Sequence, residues 1–236
     1  MTPMTALHRD GFLVLPGLLP DPARRDVRDR LAPLLTTFPS HPVRHAFGVL
    51  NHTRVLDDLI EHPAVLALLD RLLLPNFLLS QVEVVETRGG APARKPYPDD
   101  RHYPLRRPRP ALSVAALWTV SPGAPLTVWP GSHRWPEGRT PDAPGVPLNP
   151  PPGSCAVLLG TLWHGRAATP EHGPAGLTVT AHYCEPWLRT REAFTLSPGR
   201  DVARMVSPRL RRMLGYSVHP PDMGLVDGMH PHVLFA

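Results

Sequence analysis

Residues 97–105 read Tyr97-Pro98-Asp99-Asp100-Arg101-His102-Tyr103-Pro104-Leu105. They place a phenol, two adjacent carboxylates and an imidazole within one short segment. Side chains of these types bind metal ions or transfer protons when a fold holds them close together. The stretch is therefore the candidate functional site, and the segments around it indicate which fold carries it.

Together with four other segments, this stretch resembles the phytanoyl-CoA dioxygenase family, whose members are mononuclear iron oxygenases that use 2-oxoglutarate. Members of one subgroup typically read His-Arg-Asp-Asp, a few residues, then Tyr-Pro-Leu. This chain keeps both aspartates and the Tyr-Pro-Leu, but Tyr97 stands where the family has its histidine. The other similar segments are residues 10–19, 125–134, 162–165 and 209–221.

The resemblance implies an α+β fold: a double-stranded β-helix (a jelly roll, or cupin-like barrel) with N-terminal helices packed outside. Apolar residues at helical spacing predict a helix over 21–35 and one or two more over 55–74. Short runs typical of strands occupy 82–86, 112–117, 126–128, 155–159 and 177–180. We expect one domain over 1–236, with a helical part at about 1–77, a barrel at about 78–190 and a C-terminal extension at about 191–236.

Composition indicates a folded protein that works in the cytoplasm. The 33 prolines argue against an all-helical chain, and no apolar run is long enough to span a membrane. Cys155 and Cys184 are predicted to be free, buried thiols. The net charge of +5 comes from scattered arginines, which favours solvated surfaces over nucleic-acid binding. The alternative reading of this charge is attraction of an anionic or carrier-bound small molecule. The oligomeric state is left open.

The resemblance also implies a metal site of two imidazoles and one carboxylate. His164 matches the distal histidine and Asp99 the carboxylate, whereas Tyr97 replaces the proximal histidine. A neutral phenol is a poor ligand, because its pKa near 10 must be overcome before it binds well. His102 is an alternative ligand, since residues 100 and 102 of an extended strand would lie on one side. We expect simple loss of the ligand instead.

A second position that the family uses is changed as well. The arginine that holds the distal carboxylate of 2-oxoglutarate usually lies eleven residues beyond the distal histidine, and Ala175 occupies that position in this chain. Arg88, Arg107 and Arg166 are the alternatives elsewhere in the chain. Two changed positions predict that the protein uses neither iron nor 2-oxoglutarate. If a metal is retained, Asp99 and His164 are the predicted ligands.

Without cofactors, four side chains would remain to act on a substrate. Asp99 and His164 are predicted to exchange protons as a general acid and base, and Tyr97 to donate a hydrogen bond to a developing oxyanion. His102 completes the predicted catalytic set. His182 and Tyr183 fall on a strand pattern and are expected to fill the core.

These observations predict an enzyme of specialised metabolism that acts on a small molecule without a cofactor, through a redox-neutral cyclisation, isomerisation or elimination. The first alternative is an iron(II)- and 2-oxoglutarate-dependent oxygenase with an atypical metal site. The second is a binding protein that holds a reactive biosynthetic intermediate without converting it. Neither a nucleic acid nor a membrane is expected as a partner.

Overall fold

A computed structural model describes residues 2–36, 41–123 and 125–235. Its helices are α1 Pro3–Asp10, α2 Asp21–Leu31, α3 Asp57–Ile60, α4 Pro63–Leu72, α5 Gly199–Met205 and α6 Pro208–Met213. Its strands are β1 Phe12–Leu15, β2 Val43–Ala46, β3 Leu78–Thr87, β4 Ser113–Thr119, β5 Leu126–Val128, β6 Val146–Leu148, β7 Cys155–Leu159, β8 His164–Arg166 and β9 Gly176–Cys184. The helices and strands expected from the sequence patterns are confirmed.

The described strands form two antiparallel sheets. The larger sheet has the strand order β1-β7-β4-β9-β3-β2, and the smaller one has the order β6-β5-β8. Strand β9 lies at the centre of the larger sheet, where it pairs with β4 on one side and β3 on the other. The N-terminal part contributes more than helices, because β1 and β2 pair with β7 and β3 at the two edges.

The larger sheet has two buried faces, because neighbouring residues of a strand point to opposite sides. One face packs against helices α2 to α6 and forms the main core, to which Val84, Trp118 and Val179 contribute. The opposite face lies against the smaller sheet, and Ala115, Leu126 and Leu158 form a second apolar cluster there. All nine residues of β9 are buried, as its central position between two layers requires.

Helices α2 and α4 begin and bury their apolar sides for reasons visible in the sequence. Each has a proline in its first turn, where the missing N–H costs no hydrogen bond. In α4 the His62 side chain accepts a hydrogen bond from the Ala64 N–H and caps the helix. Val27 and Leu31 of α2 and Leu69 of α4 point into the main core.

The expected mixture of helices and strands is confirmed, but the expected closed barrel is not found among the described residues. The protein has a mixed fold of helices and antiparallel sheets, but the pairing of the described strands leaves two separate sheets and does not close them into a barrel. Short strands explain the difference, because β5, β6 and β8 have three residues each and, among the strands named above, pair only with one another. Within the described residues, no helix is long and apolar enough to cross a membrane.

Cys155 and Cys184 are both buried, free thiols, as expected. Burial raises the pKa of each thiol, to about 12 for Cys184. Protonated thiols of this kind are poor nucleophiles and behave as small core residues.

Candidate active site

A pocket with about 730 Å³ of empty space lies between the two sheets. Its floor is the inner face of the larger sheet, where alternate residues of each strand point inward. These residues are Glu83, Val85 and Thr87 of β3, Ala115 and Leu117 of β4, and Thr178, Thr180 and His182 of β9. The smaller sheet adds Leu126, His164 and Arg166, and the segment that leads into the 3-10 helix Asp99–His102 adds Arg94, Tyr97 and Asp99. The lining residues from β4, β5 and β7 are apolar, and most of those from β3, β8, β9 and residues 94–99 are polar.

Backbone pairing holds Tyr97 beside His164. The Tyr97 N–H donates to the His164 carbonyl at 2.9 Å, and the His164 N–H donates to the Tyr97 carbonyl at 3.2 Å. One further bond, from the Arg94 N–H to the Arg166 carbonyl at 2.8 Å, extends this pairing along β8. The two rings consequently lie 4.9 Å apart between centroids.

Asp100 fixes the backbone that presents Asp99. Its carboxylate is fully buried and accepts hydrogen bonds from the Arg109 guanidinium and the Leu112 N–H, both at 2.8 Å, and from the Ser113 hydroxyl. A Cβ at Gly160 would overlap both this carboxylate and the Ser113 hydroxyl, so only glycine leaves room for the contact. With Asp100 satisfied on the core side, Asp99 is directed towards the pocket.

The Asp99 carboxylate lies between an arginine and two histidines. Its Oδ1 accepts a hydrogen bond from Arg191 at 3.3 Å. Its Oδ2 has no hydrogen-bond partner among the described residues and lies 3.8 Å from Nε2 of His164 and 3.7 Å from Nδ1 of His182. Burial alone would raise the pKa of Asp99, which is 2% exposed, but the charges of His182, His164 and Arg191 outweigh burial and lower it to about 2. Asp99 is therefore ionised.

His182 reaches this site, although the sequence pattern placed it in the core. Counting in steps of two along β9 places Thr178, Thr180 and His182 on one face of the sheet, and that face lines the pocket. This period is the signal that would have found it. Tyr183 points to the opposite face, where its hydroxyl donates to the Ile60 carbonyl at 2.7 Å in the core, as expected.

Glu83 is the second acidic group near His182. Its Oε2 lies 3.8 Å from His182 Nε2, so the imidazole stands between two carboxylates. Burial raises the pKa of Glu83, but the neighbouring His182 and Arg94 lower it further, so its pKa is lowered overall. Neither ring nitrogen of His182 has a hydrogen-bond partner in the part of the chain that the structure describes.

Tyr97 occupies the pocket wall as a protonated phenol. The Arg94 and Arg101 guanidinium groups lie 4.4 and 4.0 Å from its ring centroid, which are cation–π distances. Burial, followed by the charge of Asp99, raises the pKa of the Tyr97 hydroxyl.

His102 is not brought to Asp99 and His164. The alternation of an extended strand does not apply to it, because residues 99–102 form a 3-10 helix. Its exposed ring packs at a tilt of 58° against that of Tyr103, with 4.4 Å between centroids, and borders a neighbouring surface pocket.

Of the arginines considered for 2-oxoglutarate, Arg166 lines the pocket and Arg88 and Arg107 do not. Arg166 is half-buried; one of its terminal nitrogens donates to the Pro92 carbonyl at 3.2 Å, and its buried Nε has no partner among the described residues. Arg94 is the second guanidinium on the wall. Ala175 does not border the pocket.

The donor set around Asp99 Oδ2 suits a divalent metal ion, because one carboxylate with imidazoles is the set that iron(II) oxygenases use. Two ligands that are each about 2.1 Å from one ion lie between about 3 and about 4 Å apart, and 3.7 and 3.8 Å fall in that range. The described residues nevertheless contain no group of three His, Cys, Asp or Glu already gathered as a metal site. A small inward movement of the side chains is needed.

The chain is similar in sequence to fungal dioxygenases. It is 29% identical to the multifunctional dioxygenase prhA of Penicillium brasilianum over 163 residues, which are 61% of this chain and 54% of that protein. It is 25% identical to the dioxygenase FrzG of Cladobotryum sp over 256 residues, with 89% of this chain and 83% of that protein covered. The chain thus spans about half the length of the first relative and most of the second. No protein-family model matches it.

Solved structures share the fold at lower sequence identity. HygX of Streptomyces hygroscopicus, solved with nickel, 2-oxoglutarate and hygromycin B, matches with a TM-score of 0.67 at 18% identity, covering 80% of this chain and 90% of that one. The α-ketoglutarate-dependent epimerase SnoN from nogalamycin biosynthesis gives 0.64 at 18%, covering 77% and 81%. The carbocyclase SnoK from the same biosynthesis gives 0.64 at 13%, covering 79% and 85%.

These comparisons contradict the prediction that the protein works without a metal and without 2-oxoglutarate. The relatives are dioxygenases, and the structural neighbours hold nickel or iron together with 2-oxoglutarate. The prediction relied on two positions, 97 and 175, and gave too little weight to side chains that other segments bring to the same place. The chain is thus similar in sequence to dioxygenases, and it shares its fold with metal- and 2-oxoglutarate-dependent enzymes of natural-product biosynthesis.

Proposed function

We propose that this protein is a phytanoyl-CoA dioxygenase-like enzyme that binds iron(II) and 2-oxoglutarate and converts a small molecule in a biosynthetic pathway. The observation that carries the proposal is the unpaired Oδ2 of Asp99. It is a buried carboxylate oxygen that lacks a hydrogen bond from any described residue and faces the Nε2 of His164. Arg191 pairs with Oδ1 of this ionised carboxylate, and Oδ2 is left to face a second cation.

A hydrogen bond to a backbone carbonyl orients the His164 ring for metal binding. Its Nδ1 lies 3.1 Å from the Leu162 carbonyl, and this contact requires the proton to be on Nδ1. The lone pair of a neutral ring is then on Nε2, which points towards Asp99. A metal-bound histidine is usually oriented in this way, by a hydrogen bond from its other nitrogen.

Arg166 is the residue that we propose for the distal carboxylate of 2-oxoglutarate. It lies two residues beyond His164 on β8, on the same wall of the pocket, so one short strand would supply both a metal ligand and an anion-binding group. A guanidinium pairs with a carboxylate through two parallel hydrogen bonds. Thr87, Thr178 and Thr180 add hydroxyl groups to the same wall.

Iron with 2-oxoglutarate and O₂ would supply an oxidant able to attack an unactivated C–H bond. The chain's own residues hold and shield the substrate. Leu117, Leu126 and Leu158 form an apolar wall that excludes water. Tyr97, a phenol with a raised pKa, keeps its proton and can donate a hydrogen bond.

Arginine side chains give the mouth of the pocket positive charge. An adjoining pocket of about 620 Å³ shares Glu83, Arg94 and Tyr97 with the main one and is also lined by Arg101, His102 and Arg191. Guanidinium groups at a pocket mouth attract anions. We therefore propose a small-molecule substrate that bears an anionic group, either its own or that of a carrier.

Thermal unfolding tests cofactor use without knowledge of the substrate. A ligand that binds the folded state raises the melting temperature. We expect nickel(II) plus 2-oxoglutarate to raise that of the wild type, and to leave that of Asp99→Asn unchanged. Asp58→Asn, a matched change on the exposed side of α3, should respond like the wild type. A wild type that responds to neither ligand contradicts the proposal.

The reaction class is a separate question. We propose a ring closure or an isomerisation, because an epimerase and a carbocyclase are among the structural neighbours. Once a substrate is found by screening, turnover under ¹⁸O₂ decides: a product without ¹⁸O supports this class, and a hydroxylated product that carries ¹⁸O contradicts it in favour of hydroxylation.

A further inference from the structure

We infer that His182 of β9 is the third metal ligand of this chain, in place of the histidine that Tyr97 replaces. This inference rests on the proposed function, because it concerns the ion that Asp99 and His164 would hold. The site would then consist of one carboxylate and two imidazoles from three separate elements: the 3-10 helix Asp99–His102, β8 and β9.

The position of His182 is the first reason. Its Nδ1 lies 3.7 Å from Oδ2 of Asp99, almost the same as the 3.8 Å from that oxygen to Nε2 of His164. Nδ1 of His182 and Nε2 of His164 therefore lie at nearly equal distances from the same carboxylate oxygen. His182 is only 5% exposed, and both of its ring nitrogens are buried without a hydrogen bond from the described residues.

The position of the proton on the His164 ring gives the second reason. Asp99 Oδ2 offers a lone pair, and so does Nε2 of a neutral His164 ring, whose single proton is then on Nδ1. Distances of 3.7 and 3.8 Å are also too long for N–H···O hydrogen bonds, which span about 2.7–3.2 Å. Lone pairs that converge at such a separation are arranged for a cation between them.

Glu83 gives the third reason. It lies on β3, diagonally across the strand pair from His182, and its Oε2 is 3.8 Å from Nε2 of that ring. A histidine that binds a metal through one nitrogen commonly directs its other N–H to a carboxylate. Glu83 would thus hold the proton on Nε2 and leave the Nδ1 lone pair for the ion.

Tyr97 is engaged differently. Two guanidinium groups, of Arg94 and Arg101, lie against its ring, and the ring packs beside that of His164. These contacts are typical of a residue in the pocket wall rather than of a metal ligand.

The rival to our inference is a proton in place of the metal. In that case a His182 imidazolium would be shared between Asp99 and Glu83.

Cobalt(II) binding to the full chain tests the inference, measured by calorimetry and by the visible absorption of the bound ion. We expect one ion per wild-type chain. His182→Gln should weaken binding by more than about 100-fold, because loss of a residue that merely orients a ligand already costs about 10- to 100-fold. Glu83→Gln, a partly exposed and conservative change, should weaken it by about 10- to 100-fold.

Two variants serve as matched controls. His45→Gln removes another imidazole that lines the same pocket and lies 4.0 Å from Glu83, and it should bind like the wild type. Tyr97→Phe should also bind like the wild type. Circular dichroism and melting without metal check that each variant folds. The nitrogen signals in pulsed EPR of the copper(II)-loaded protein should fall from two imidazoles to one in His182→Gln.

The outcomes are distinct. If the wild type binds cobalt and the folded His182→Gln binds equally well, His182 is not a ligand, although the proposed function stands. If Tyr97→Phe loses binding as His182→Gln was expected to, the inference is also overturned. If the wild type binds no cobalt at all, both the inference and the proposed function fail.

Discussion

The Oδ2 atom of Asp99 lies 3.8 Å from Nε2 of His164, with no hydrogen bond to that oxygen from any described residue. The two residues come from different segments, which are held together by the backbone pairing of Tyr97 with His164. This contact places an ionised carboxylate and an oriented imidazole among the polar residues that line a pocket between two sheets. Substitutions should therefore distinguish residues that bind the metal or 2-oxoglutarate from residues that stabilise the fold.

Asp100 should matter for stability rather than for binding. Its fully buried carboxylate pairs with Arg109, which is 10% exposed, and removing one partner of a buried pair typically costs about 3–5 kcal/mol. We expect Asp100→Asn to lower the free energy of unfolding by about 3 kcal/mol in urea titrations. The neighbouring change Asp99→Asn should abolish metal binding, whereas the folded Asp100→Asn should still bind the ion. Loss of metal binding in a folded Asp100→Asn would show that Asp100 is not a purely structural residue.

Arg166 should control affinity for 2-oxoglutarate. A charge-assisted hydrogen bond contributes about 1.5–3 kcal/mol, so Arg166→Ala should weaken 2-oxoglutarate binding about 10- to 100-fold at saturating metal. Calorimetry with the nickel(II)-loaded protein measures this directly. Arg88→Ala is the matched control, because Arg88 bonds to Glu86 outside the pocket, and it should leave the affinity unchanged. An unaltered affinity in Arg166→Ala would assign the anion to another group, of which Arg94 is the nearest candidate.

Asp57 should lower stability at neutral pH. Burial raises its pKa to about 6, although Arg54 opposes the shift. Because the folded-state pKa lies above the unfolded one, the carboxyl costs nothing at low pH, and the cost grows as pH rises from about 4 to about 6. Asp57→Asn mimics the protonated form, so it should stabilise the protein by about 1–2 kcal/mol at pH 7 and by nearly nothing at pH 4. A gain that is the same at both pH values would show that burial of the ionised carboxylate is not the cause.

Much of the fold could be predicted from the sequence, because helices and strands follow local patterns. Val27 and Leu31 repeat at the spacing of a helix, and residues 155–159 form a short apolar strand. The meeting of Asp99 and His164 came from the resemblance, since nothing local connects those segments. Closure into a barrel was expected for the same reason, but strand pairing decides closure, and residue patterns do not show which strands pair.

The site was harder to predict, because its groups come from different strands. Position 97 alone indicated a lost ligand, and His182 was assigned to the core, although its period of two along β9 places it on the pocket face. His102 was placed by the geometry of an extended strand, and a 3-10 helix moves it outside. Position 175 lacks the arginine of the family, but this gave no information about Arg166, which lines the pocket. Substituted positions predict lost chemistry poorly when a neighbouring strand can supply the same group.

The most direct test is an anaerobic titration of the wild-type protein with iron(II) followed by 2-oxoglutarate, with bound metal and visible absorption measured together. We predict one iron per chain and a charge-transfer band that appears when 2-oxoglutarate is added. Both should be absent in Asp99→Asn, while Asp58→Asn should behave like the wild type. A wild-type chain that holds no iron and develops no band would contradict the account.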